Sequence, residues 1–130
     1  MLVWWTVVTA KTPQQLELVV NDKLAILDTW EAGVGGTAWI EELVKTGKAY
    51  VYRLQGGYPN RYSAFACDVL PLIADGPPSH IAPAMLAWHD EANQTVLIPA
   101  NYQGNVTLHR DRIAACDPDQ VLTIDTWDQS

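Results

Sequence analysis

The stretch VWWTVVTAKTPQQ, residues 3–15, decides the fold class, because it passes from a strand pattern to a helix start within a few residues. Val3 to Thr9 is rich in β-branched and Trp side chains, with Val3, Trp5 and Val7 on one alternating set and Trp4 and Val8 on the other. Two apolar faces predict a central strand covered on both sides. Thr12 then stands as a helix N-cap, Pro13 takes the first helical position, and Gln15 falls where its side chain reaches back to the Thr12 amide. A sheet strand followed by a capped helix is the first unit of an α/β or α+β chain.

Working outward, Leu16, Val19, Val20, Leu24, Leu27 and Trp30 recur at helical spacing and extend the predicted helix as one stripe laid on the sheet. The alternative is a break at Asn21-Asp22 that leaves a shorter helix and a strand from Leu24 to Leu27. Gly33, Gly35 and Gly36 close this region, and Thr37 caps a second helix to about Thr46. Glu41 and Glu42 are near its start, Lys45 near its end and Gly47 just beyond, as the helix dipole and C-terminal geometry prefer. Ala49 to Leu54 alternates with Tyr50, Tyr52 and Leu54 on one face, and a Gly-containing loop leads to a strand around Arg61 to Cys67, forming a hairpin.

Asp68 caps a short helical turn from Val69 to Ala74, with Pro71 placed in its first turn. Asp75-Gly76-Pro77-Pro78-Ser79 is the strongest break, yet halves of roughly 70 residues would bury too little apolar surface to stand alone. One domain over residues 1–130 is therefore expected. Ile81, Met85, Trp88 and Ala92 fit a helical stripe, whereas Ala84 to His89 and Thr95 to Pro99 fit a hairpin. Pro83 favours the hairpin. Val106 to Ile113 and Val121 to Trp127 form a last strand pair across Asp117-Pro118-Asp119. The sum is an α+β fold: two N-terminal-half helices packed on a mostly antiparallel sheet of six or seven strands built from hairpins.

Composition narrows the chemistry. The 130 residues carry 48% apolar side chains and a net charge of −7. Nine of the fifteen acidic residues and only three of the eight basic ones lie after residue 60. Such a surface repels phosphate backbones, which argues against nucleic-acid binding, and suits a basic protein partner or a cationic small molecule. The apolar start is too short for a signal core or a membrane span, and Cys67 and Cys116 lack CxxC spacing, so reduced, buried thiols in a cytoplasmic protein are the expectation. Homo-oligomer formation through Trp4, Trp5 or Trp127 stays open.

Motifs specific enough to identify a family are missing from the reading. Gly33-Val34-Gly35-Gly36-Thr37-Ala38 has dinucleotide-loop spacing, but Glu41 and Glu42 would repel an anion at that helix end and no acidic ribose partner follows. His109-Arg110-Asp111 repeats kinase letters without the other kinase parts, and reads as a strand pair of His109 and Asp111 on one face. His80, His89 and His109 show no ligand spacing, so no metal and no cofactor is expected. Cys67 sits among Ala64, Phe65, Ala66 and Val69 as a core thiol.

The aromatic content is the most informative feature: six Trp and five Tyr accompany a single Phe. Trp and Tyr carry a polar handle and serve where one end stays wet, as in ligand cavities. Tyr50, Tyr52, Tyr62, Trp39 and Trp88, with Glu41, are the candidate ligand-binding residues, suited to a cation by ring faces and charge together. A small acidic non-catalytic binding protein is thus the leading expectation, taking either a basic protein in the manner of an inhibitor or immunity protein, or a cationic small molecule. The alternative is a cofactor-free enzyme with His89, Asp90, His109 or Asp111 as acid-base groups.

Overall fold

The computed structural model describes residues 4–18, 23–33, 35–53, 59–78, 86–89, 95–98 and 103–128, with residues 86–89 and 95–98 given by their backbone pairing. Six strands form one antiparallel sheet: β1 (Trp4–Thr9), β2 (Ile26–Ala32), β3 (Ala49–Arg53), β4 (Asn60–Phe65), β7 (Gln103–Leu108) and β8 (Val121–Asp128), in the order β3-β4-β8-β1-β2-β7. β5 (Leu86–His89) and β6 (Thr95–Ile98) pair as a separate antiparallel hairpin. Among the described residues four helices, α1 (Pro13–Leu18), α2 (Ala38–Lys45), α3 (Ala66–Ile73) and α4 (Arg110–Ala114), complete this α+β fold.

Alternation along the central strands divides the sheet into two unlike faces. Register puts Trp30, Thr6, Thr126 and Asn60 in one row across β2, β1, β8 and β4, and Asp28, Val8, Ile124 and Tyr62 in the next. Val8, Trp30, Leu122 and Ile124 from this face pack with Trp39, Ile40 and Leu43 of α2 and Val69 and Ile73 of α3 to make the core. The other face mixes polar and apolar groups: Arg61 is bonded to Asp125, Tyr52 reaches Glu17 of α1, and Trp5 stands opposite Trp127.

Local signals explain the helix ends. The Thr12 amide donates to Gln15 Oε1 at 2.8 Å and the Gln15 amide to Thr12 Oγ1 at 3.1 Å, the reciprocal pair that the sequence predicts. At the end of α2, Gly47 has φ +78°. Its amide donates to Val44 O at 3.1 Å and the Lys48 amide to Leu43 O at 2.8 Å, so two end carbonyls of the helix are satisfied. The first amides of α3 are met by the loop before β8: Ala66 N donates to Gln120 O and Cys67 N to Pro118 O.

Four local readings are corrected. The helix expected to run through Leu24, Leu27 and Trp30 is described over Pro13–Leu18 and does not include them: Ile26–Ala32 is a strand between β1 and β7, with a 3-10 turn at Lys23–Ala25 before it, which is nearer the alternative of a shorter helix and a strand. Val19, Val20 and Asn21-Asp22 lie outside the described residues. Helix α3 starts at Ala66, so Pro71 falls inside it and not in the first turn, where its missing amide leaves the Cys67 carbonyl without a helical donor on an exposed side. Strand β7 ends at Leu108 and pairs with β2 at the sheet edge, not with β8, which lies between β4 and β1; the His109 amide closes onto Leu27 O at 2.9 Å, and His109 O then accepts from Ile113 N in α4. Cys67 is exposed and Cys116 partly buried, against the expectation of buried thiols; both are free.

Candidate functional site

A cleft of about 430 Å³ opens between α2 and the core-side face of the sheet, at the end where Trp4 lies. Its floor comes from neighbouring strands: Trp4 of β1, Thr126 of β8, Asn60 and Tyr62 of β4, and Val51 of β3. Its wall is α2, which presents Glu41, Val44 and Lys45, with Thr37 at the N-cap position. Thr37 makes no side-chain cap bond, so its hydroxyl is not consumed by the helix end. The volume lies within the range of small-molecule pockets, and the mixture of apolar walls with a few polar groups is characteristic of them.

The polar groups of the floor are unevenly satisfied. Thr126 and its cross-strand neighbour Thr6 are fully buried, and neither hydroxyl oxygen has a hydrogen-bond partner. An unpaired buried hydroxyl is costly, and of the two residues Thr126 lines the cleft. Burial pushes the Tyr62 phenol up, and the Glu41 carboxylate adds to the rise, which keeps the phenol a neutral donor.

Glu41 and Tyr62, two of the candidate ligand residues, meet in this cleft. Trp39 does not line it. Its ring packs against Trp30 at 5.8 Å between centroids within the core, with its indole Nε1 unpartnered. Tyr50 and Tyr52 are exposed on β3, and the Tyr52 hydroxyl donates to Glu17 Oε1 at 2.7 Å, which raises its pKa. The side chain of Trp88 lies outside the described residues. Trp4, Val51, Asn60, Lys45 and Thr126 join the cleft without having been singled out for it, because strand order and not local sequence brings them there.

The acid-base candidates do not gather at the cleft. His109 is the residue before α4 and Asp111 lies exposed in its first turn, so they do not share a strand face. The His89 side chain, Asp90 and His80 lie outside the described residues. Among the described residues no cluster of three or more His, Cys, Asp or Glu is placed to hold a metal ion.

One titratable group was missed altogether. Asp28, beside Val8 in the register, is fully buried and neither carboxylate oxygen has a hydrogen bond of good geometry. Burial pushes its pKa from 3.8 up to about 7, against a smaller downward pull from the Thr29 backbone. A second, shallower groove of about 310 Å³ between α3 and the α4–β8 loop is lined by both cysteines together with Leu70, Pro71 and Ile113. No helix among the described residues is long and apolar enough to cross a membrane. No protein-family model, curated protein or solved structure matches the chain.

Proposed function

We propose that this protein is a small non-catalytic binding protein whose cleft between α2 and the sheet holds a small organic ligand through a cationic amine end and an apolar body. The observation that carries the reading is the meeting of two aromatic rings, Trp4 and Tyr62, with the Glu41 carboxylate in one cavity of about 430 Å³. Ring faces attract cations electrostatically and a carboxylate adds a charged acceptor, while Val44 and Val51 supply apolar contact for the rest of the ligand. The overall charge of −7 favours the approach of a cation. Among the described residues Asp28, whose pKa burial raises to about 7, is fully buried and does not line the cleft, so it offers the cleft no acid-base group.

Saturation-transfer NMR with tyramine, an aromatic amine, tests the reading. Tyramine is expected to bind the wild-type protein and to lose about tenfold in affinity in Glu41→Gln, a change at an exposed position that leaves the core alone. An absence of tyramine binding at millimolar concentration, or equal binding to both proteins, overturns it. Turnover of the amine would instead favour an enzyme. Native mass spectrometry that captures a basic protein, with strong salt dependence, would favour the inhibitor-like alternative.

A further inference from the structure

We infer that the cleft is built for a zwitterion: a free α-amino acid whose aromatic side chain ends in a hydroxyl. This rests on the reading of the cleft as a ligand site and adds the class of ligand. Glu41 and Lys45 both line the cleft from α2 and are both exposed. They stand four residues apart on one helix, the spacing at which a Glu and a Lys normally pair. Among the described residues neither makes a salt bridge, and neither donates or accepts a side-chain hydrogen bond.

Two opposite charges about one helical turn apart, both unspent, match a ligand head that carries an ammonium and a carboxylate on one carbon. A ligand with an amine alone would satisfy Glu41 and meet repulsion from Lys45. Charge-assisted contacts to both groups remove that conflict.

The rest of the lining specifies the other end. Trp4, Val51 and Tyr62 offer flat and apolar contact to an aromatic ring. Thr126 lines the same cavity, fully buried, with a hydroxyl that has no partner. Asn60, its neighbour in the β4–β8 register, lines the cavity beside it. A ligand hydroxyl both donates and accepts, so it relieves an unpartnered Thr hydroxyl in a way that a bare phenyl ring does not.

Four probes separate the elements of the proposal by NMR titration: L-tyrosine, tyramine, which lacks the carboxylate, 3-(4-hydroxyphenyl)propionate, which lacks the ammonium, and L-phenylalanine, which lacks the hydroxyl. Tyrosine is expected to bind about tenfold tighter than each of the others. Lys45→Met is expected to erase the gap between tyrosine and tyramine. The near-isosteric Thr126→Val is expected to erase the gap between tyrosine and phenylalanine. Tyramine binding as tightly as tyrosine overturns the zwitterion and leaves the amine reading standing, whereas failure of every amine-bearing probe at millimolar concentration removes both. Equal binding of tyrosine and phenylalanine to the wild-type protein overturns the hydroxyl assignment.

Discussion

Arg61 and Asp125 face each other across the β4–β8 pair in a two-pronged contact, Nε to Oδ1 at 2.7 Å and Nη2 to Oδ2 at 3.1 Å, with side chains only 12% and 6% exposed. Desolvation outweighs the arginine: the Asp125 pKa is raised even with the guanidinium in place. The pair is therefore tolerated by its geometry and is sensitive to the loss of one member.

Arg61→Met is expected to cost about 3–5 kcal/mol in urea unfolding at neutral pH, because it leaves a buried carboxylate alone. Asp125 then rises further and takes up a proton on acidification, so the loss shrinks as the pH is lowered towards 4. The double change Arg61→Met with Asp125→Leu is expected to recover most of the stability, and a double variant as unstable as the single one would show that the ion pair stabilises on balance.

Asp28 sets a second pH dependence. Its pKa is 3.8 in the unfolded reference and about 7 in the fold, so between these values the folded chain binds more protons than the unfolded one. Stability therefore falls as the pH rises from about 4 to about 7, and then levels off, with a ceiling of about 4 kcal/mol for the full shift. Asp28→Asn is expected to flatten this slope relative to the wild type in chemical denaturation at pH 4.5 and 7.5; parallel slopes in the two proteins would contradict the placement of Asp28.

Gly36 is a packing glycine. A Cβ there would collide with the Cβ of Ala32 and lie 2.9 Å from the Gly33 carbonyl oxygen, just where β2 gives way to α2. Gly36→Ala is expected to lose about 1–3 kcal/mol and to disturb Thr37 and the cleft with it. Circular dichroism melting gives the first effect, and tyrosine titration of the surviving fold gives the second.

The thiols differ in reactivity. Cys67 is exposed, whereas burial and the neighbouring Asp117 push the Cys116 thiol up. Iodoacetamide at neutral pH is expected to label Cys67 about tenfold faster, read as sequential mass additions with peptide mapping.

Much of the architecture was legible wherever a local device decides it. Thr12 and Gln15 cap α1 reciprocally, Gly47 ends α2, and Tyr62 faces Val51 in the hairpin that alternation predicts. The strand Ile26–Ala32 was legible only as the alternative reading, because Leu24, Leu27 and Trp30 stand three residues apart, a helical spacing, while the alternating buried row Asp28, Trp30 and Ala32 contains a carboxylate. Only pairing with β1 on one side and β7 on the other makes the extended form the winner. The cleft divides in the same way: residue type points to Glu41 and Tyr62, whereas Thr126 carries no local signal. Its place beside Asn60 and Thr6 is a matter of strand order.

That strand order has a consequence for how the chain acquires its shape. Trp4 is registered against Asp128, and β8 fills the space between β1 and β4. A ribosome therefore delivers the other strands of this sheet before β8, and until then β1 and β4 each hold an open edge waiting for the same strand. Closure across such a long stretch of chain makes folding slow and all-or-none, and exposes the newborn chain to wrong pairings in the interval. The cleft, whose floor crosses that seam, comes into being last.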